Sequence, residues 1–339
     1  MKLGIIGLPL SGKKTVFEAL TKKFDSGFKN EDRLETVTVP DKRIDKLSAM
    51  FEPQKTIYAQ IKYFLPKKQE NATEKDTAYN NIRDCDAIIQ VIKNFKAYAD
   101  DKISPYEDVL TLEQELTLAD FITAEKRIER IATDKKRGKQ IDNQELSLLK
   151  EALQLLEAEK PIRKNTKIAT ARQLRGFTFL TAKPKLLLFN NDDEDENIPS
   201  FTEKTDDDTM VLRGKLEHEI MQMPEKEAFE FLKEFNISDL AMDRVIKKSY
   251  DLLGLISFFT VGKDEVRAWT IKKGTSALDA ADVIHSDIKK GFIRAEVVAY
   301  NDLIKAGGYP KAKEAGTVRL EGKTYIVADG DIINFRFNV

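Results

Sequence analysis

Residues Lys2 to Leu20, KLGIIGLPLSGKKTVFEAL, constrain this chain more than any other stretch. An apolar run from Leu3 to Ile6 leads into a glycine-bounded loop and then an amphipathic segment, which predicts strand, loop and helix. The loop, Gly7-Leu-Pro9-Leu10-Ser11-Gly12-Lys13-Lys14-Thr15, satisfies G-x-x-x-x-G-K. Glycines let consecutive backbone N–H groups turn inward, and the helix that follows adds partial positive charge at its N-terminus. Lys13 is placed to reach the β- and γ-phosphates of a nucleotide. The complete motif puts Ser or Thr directly after this Lys, where its hydroxyl binds Mg²⁺. Here that position is Lys14, and Thr15 follows one residue late, turned by roughly 100° around the helix. The expected ligand set is therefore Gly7, Pro9, Leu10, Ser11, Gly12, Lys13, Lys14 and Thr15 for phosphate. Magnesium is doubtful, and no protein metal ligand is assigned.

A second set of residues belongs to the base. Lys185 to Phe189 reads as a buried strand that runs into Asn190-Asn191-Asp192-Asp193. In a phosphate-loop protein, an Asn at such a strand end bonds both base and loop, and a carboxylate three residues on accepts from N–H groups of the base edge. Asn190 and Asp193 are the candidates. The competing expectation is an acidic, solvated loop that continues through Asp206-Asp207-Asp208. Two further features of a nucleotide hydrolase are missing. The strand expected over Thr56 to Leu65 does not end in Asp-x-x-Gly, the pair that holds the metal and senses the γ-phosphate. No threonine-bearing first switch is recognisable in residues 25 to 36. No catalytic residue is assigned.

Elsewhere the chain reads as ordinary secondary structure. Asp41 is a plausible cap for a short helix to Met50. Ala87 to Ile92 reads as a buried strand. Between 101 and 176 apolar residues recur at helical spacing, including Leu112, Leu116, Ile122, Ile131, Leu149 and Leu156. Gly138 divides the run into an antiparallel hairpin. Met210 to Arg213 is a candidate last strand of the core. Beyond it, short strands over Leu255–Val261, Val266–Ile271, Tyr325–Val327 and Asn334–Val339 surround a helix over Ala277–His285.

Composition narrows the setting. With 41% apolar and 33% charged residues in 339, the chain suits two or three globular domains. A net charge of −1 argues against DNA as a partner, and from Gly262 to Val339 the 13 Lys/Arg against 11 Asp/Glu leave little basic bias. The single cysteine, Cys85, excludes an internal disulfide, and with two distant histidines no zinc site is suggested. No apolar run approaches about 18 residues, so neither a membrane partner nor a membrane span is expected, and a cytoplasmic protein is.

Several colinear segments are familiar. Phe258-Phe-Thr-Val-Gly-Lys-Asp-Glu-Val-Arg-Ala-Trp-Thr270, Ile284-His-Ser-Asp287, Lys290-Gly-Phe-Ile-Arg-Ala-Glu296, Glu314-Ala-Gly316 and Gly330-Asp-Ile-Ile-Asn-Phe-Arg-Phe-Asn338 resemble the YchF family, the Obg-like ATPases. So do Gly7-Leu-Pro9, Val39-Pro-Asp-Lys-Arg43 and Lys183-Pro184. The resemblance spans nearly the whole chain. It implies an α/β P-loop NTPase, G-domain-like core with an inserted α-helical hairpin and a C-terminal β-grasp TGS domain. The corresponding boundaries are 1–100 and 181–253 for the two parts of the core, 101–180 for the helical arm and 254–338 for the TGS domain. It also implies ATP as ligand, with GTP the alternative, and a ribosome or RNA partner reached through the arm and the TGS domain. Asp193 stands where the family has Glu, Arg213 where its base loop has a small residue, and Lys14 where it has the metal-binding Ser. The favoured expectation is a nucleotide-binding regulator with weak or lost hydrolysis, in which the Lys14 ammonium replaces part of the metal's charge. The alternatives are a slow ATPase using carboxylates from residues 70 to 86, and a scaffold that binds no nucleotide.

Overall fold

The computed structural model describes residues 1–24, 31–67, 79–98, 101–200, 205–234 and 240–338. It divides into two compact units, Met1–Glu35 with Lys62–Val245, and Thr36–Ile61 with Ile246–Val339.

The first unit is organised on a six-stranded sheet in the order β2-β4-β1-β5-β6-β7. Its strands are β1 (Lys2–Ile6), β2 (Arg33–Thr38), β4 (Gln60–Leu65), β5 (Ala87–Asn94), β6 (Lys185–Asn191) and β7 (Asp208–Leu212). From β4 through β7 each neighbour runs parallel. All seven residues of β6 and the first six of β5 are buried, as expected for parallel strands covered on both faces. Helix α1 (Lys13–Thr21) follows β1 directly.

Between β5 and β6 the chain makes the helical hairpin. Helix α3 (Pro105–Lys136) and helix α4 (Asn143–Glu157) flank Gly138, whose φ of 74° ends the first arm in the left-handed region. Asp142 caps α4 by accepting from the N–H groups of Gln144 and Glu145. The hairpin has two apolar seams. Leu112 and Leu116 pack with Ile6, Phe64, Ile82 and Ile88 of the sheet unit, whereas Ala124 and Ile131 pack with Leu149, Ala152 and Leu156 of α4. Ile122, expected among the packed positions, is instead exposed.

Buried charges reinforce the apolar seams. Lys185 on β6, 2% exposed at its side chain, meets Glu113 of α3 and lies 3.3 Å from Asp207. Arg163, just beyond α4, donates to Asp207 through Nε at 2.8 Å and through Nη2 at 3.0 Å, and to Glu113 at 3.0 Å. Asp207 was expected in a solvated acidic loop. It is largely withdrawn from solvent, 11% exposed at its side chain, because two cations from other elements converge on it. A second lock is Asp120, fully buried in α3, which accepts from Arg83, from the backbone N–H of Leu180 and Thr181, and from the Thr181 hydroxyl.

The second unit carries the sheet β11-β10-β12-β8-β9-β3. Its strands are β3 (Lys55–Ile57), β8 (Leu255–Val261), β9 (Glu265–Lys272), β10 (Phe292–Ala299), β11 (Arg319–Glu321) and β12 (Asp331–Phe337). The helix Ala277–Ile284 buries its alanines against Phe258, Phe292, Ile333 and Phe335. Helix α2 (Lys42–Phe51) has Asp41 as its cap, accepting from the Arg43 N–H at 2.9 Å, and buries Ile44 and Leu47.

Three expectations change. Thr56–Leu65 is two strands, not one: β3 and β4 belong to different sheets. Tyr325–Val327 forms only an isolated bridge between Ser276 and Ile326. β10 was not expected as a strand. It pairs with β12 across a bulge between Phe292 and Arg294, which breaks the alternation that marks a strand. Of the nucleotide-sensing segments, residues 25–30 and 68–78 lie outside the described residues. Among the described residues no helix is long and apolar enough to cross a membrane.

Burial pushes the Glu113 and Asp207 carboxyls up, but Lys185 and Arg163 pull both below the usual carboxylate range. Their contribution to stability is therefore complete above the unfolded-state pKa of about 4 and is lost as pH falls through the lower folded-state values. Arg163→Ala leaves two buried carboxylates with one lysine between them and should cost about 3–5 kcal/mol in urea unfolding at neutral pH. That gap between wild type and variant should shrink below about pH 4.

Candidate phosphate-loop site

The β1–α1 loop is shaped by close approaches that side chains would block. A Cβ on Gly7 would stand 2.5 Å from the Val91 carbonyl and 2.6 Å from the Ser11 Oγ. Gly12 has φ 82° and caps α1, and a Cβ there would stand 2.2 Å from Asn190 Nδ2. Leu10 also adopts the left-handed region, with φ 63°, and the residue is 74% exposed, so the loop turns outward at its crest. Pro9 is exposed beside it. Inside the loop the Ser11 N–H donates to the Leu8 carbonyl at 3.2 Å. The Ser11 hydroxyl is buried without a hydrogen-bond partner among the described residues.

Helix α1 begins with no side-chain cap and no acidic residue in its first turn. Its leading N–H groups are thus left for an anion, the arrangement that favours phosphate. Lys13 lies across the loop, its Nζ donating to the Leu8 carbonyl at 3.3 Å. Lys14 points along the helix to Glu18, 3.8 Å away, and Thr15 is half-buried. Glu18 is a meeting point: Arg33 donates to it at 3.0 Å and His218 Nε2 lies 3.4 Å away. This cluster has no local sequence signal, because its members come from α1, β2 and α5 (Gly214–Ile220).

Asn190 sits at the end of β6, and both ends of its amide are engaged. Nδ2 donates to the Ser11 carbonyl at 3.1 Å, and Oδ1 accepts from the Gly214 N–H at 3.0 Å. It therefore joins the loop to the start of α5. Asp193 Oδ1 accepts from the Leu216 N–H at 3.1 Å, and its Oδ2 is 3.6 Å from Lys215. Arg213 holds Glu196 at 2.9 Å. The acidic segment after β6 is thus a tied turn, with Asn191 donating to the carbonyls of Asp195 and Asn197.

Comparison with known proteins decides the kinship. The chain is 38% identical to the protein named Ribosome-binding ATPase YchF of Bacillus subtilis (strain 168), with 99% of each covered. It is 35% identical to the protein of the same name from Escherichia coli O157:H7, covering all of this chain and 99% of that one. This chain belongs to the YchF family. The family description YchF-GTPase_C, "Protein of unknown function (DUF933)", matches residues 255–338. The solved Schizosaccharomyces pombe YchF GTPase superposes with a TM-score of 0.85 at 28% identity, over 99% of this chain and 97% of that one. The fold is thus a P-loop NTPase core with a helical hairpin insertion and a C-terminal β-grasp domain.

Against the groups such a site takes, the residues fit unevenly. A phosphate fits the loop: its glycines, the uncapped helix start, Lys13 and the unpaired Ser11 hydroxyl all offer donors. Magnesium does not fit position 14, because an ammonium has no lone pair to give a cation. Glu18, one turn on, is already shared by Arg33, His218 and Lys14. Among the described residues no group of three or more His, Cys, Asp or Glu could hold a metal ion. Asn190→Ala would leave the Ser11 carbonyl and the Gly214 N–H unpaired, each at about 1–3 kcal/mol. Urea unfolding should register that loss, and Gly12→Ala should be destabilised too, because it adds strain at the same contact.

Proposed function

We propose that this protein is a cytoplasmic, ribosome-associated nucleotide-binding protein that takes ATP in preference to GTP and hydrolyses it slowly or not at all. The observation that carries nucleotide binding is the glycine-lined loop closing on an uncapped helix start with Lys13 across it. The names of the bacterial relatives, Ribosome-binding ATPase YchF, support ATP and the ribosome. Asn190 and Asp193 are the residues proposed to face the base. In that reading Asn190 keeps its bond to the loop and uses its second N–H, while Asp193 releases the exposed Lys215 and accepts from the base edge.

Weak hydrolysis follows from chemistry at position 14. Phosphoryl transfer relies on positioning and charge neutralisation, and a seated metal supplies much of both. Replacing its hydroxyl ligand with an ammonium removes the metal's positioning of the phosphates and leaves only part of its charge. Of the carboxylates in residues 70 to 86, those of residues 70–78 lie outside the described residues, Asp84 is exposed, and Asp86 is engaged by the backbone N–H of Lys2 at 2.8 Å. Phosphate release by the purified chain should be at least about a hundredfold slower than by the Bacillus subtilis relative in the same magnesium buffer. Brisk turnover would overturn this reading, and titration with ATP and GTP in parallel tests the base preference.

The ribosomal contact is assigned to the hairpin and the C-terminal domain. At the hairpin tip Lys135, Lys136, Arg137 and Lys139 are all exposed within five residues. Such a cluster suits RNA phosphates. Changing Lys135, Lys136 and Arg137 together to Glu should sharply reduce co-sedimentation with ribosomes and flatten its dependence on salt.

A further inference from the structure

We infer that Lys14 takes the place of the divalent cation at this site, so that the loop binds a nucleoside triphosphate without magnesium. The inference rests on the nucleotide-binding reading above and concerns how the charge of the phosphates is met. An uncomplexed triphosphate carries more negative charge than its magnesium salt, and a loop that binds it must supply the difference. Here two consecutive lysines open α1 at the loop. Lys13 is folded over the loop at 3.3 Å from the Leu8 carbonyl. Lys14 occupies the position where the motif otherwise presents a metal-binding hydroxyl.

The surroundings keep the Lys14 ammonium available. Its side chain is 56% exposed, and its ion pair with Glu18 one helical turn away is long at 3.8 Å. Glu18 is held more closely by Arg33 at 3.0 Å, so it keeps a cationic partner when Lys14 leaves it. The first turn of α1 contains no acidic residue that would repel an anion. A second observation points to the same ligand. The Ser11 hydroxyl is 1% exposed, has no partner among the described residues, and lies 2.6 Å from where a Gly7 Cβ would stand, inside the loop. A buried donor of this kind is satisfied by an acceptor arriving from outside, such as a phosphate oxygen.

The test is calorimetric titration of the full chain with ATP, once in excess EDTA and once in excess magnesium. The expected dissociation constants agree within about threefold. Lys14→Ser removes the ammonium and restores the hydroxyl, so it should bind about tenfold more weakly in EDTA and recover when magnesium is added. Lys14→Arg should keep the wild-type pattern. Circular dichroism of each variant verifies that it is folded. Wild-type binding that appears only with magnesium overturns this inference and leaves the nucleotide reading intact. So does a Lys14→Ser variant that binds in EDTA as wild type does. Absence of binding in both buffers removes the nucleotide reading and this inference with it.

Discussion

The amide of Asn190 holds this site together. It stands at the end of a strand whose residues are all buried, and it spends one hydrogen bond on the Ser11 carbonyl and another on the Gly214 N–H. The β1–α1 loop, strand β6 and the start of α5 therefore share one fixed point. The glycines on either side of it are consequences of that closeness, since neither Gly12 nor Gly214 has room for a Cβ beside the amide. A donor and an acceptor at opposite ends of one planar group are what the position demands, and Asn supplies both.

The hairpin is held to the same unit by different means. Its far half is an apolar seam between two helices, whereas its near half adds buried charge: Asp120 with Arg83, and the Glu113, Arg163, Lys185 and Asp207 cluster. Burial raises the Asp120 carboxyl above its usual range despite the donors around it. These groups are more costly to bury than leucines. What they add is direction, because each carboxylate accepts from named partners in a fixed geometry.

Features governed by local rules were legible in the sequence. The loop glycines, the Asp41 cap, the Gly138 break and the apolar strands β5 and β6 all follow from short-range sterics, hydrogen bonding or uniform burial. What escaped detection depends on distant partners. Asp207 reads as one of three solvated aspartates until Arg163 and Lys185 arrive. The Glu18 cluster draws on three separate elements, so no spacing announces it. Thr56–Leu65 has the residue types of a strand throughout, and nothing in that composition says that its two halves join different sheets. Asn190 and Asp193 are proposed as a pair from their spacing, yet the ties of Asp193 to Leu216 and Lys215 depend on the fold.

Strand β3 pairs in parallel with β9, Lys55 opposite Glu265 and Ile57 opposite Arg267. During synthesis, β3 emerges early and its partner near the end of the chain. Until translation delivers that partner, β3 and α2 have no finished sheet to join, and their apolar faces need shelter in the meantime. A gene cut just before β8 would not release a self-contained N-terminal piece, since it would strand a segment that belongs to the missing half. The C-terminal sheet is equally incomplete when expressed alone, because its last edge is encoded before any of its other strands.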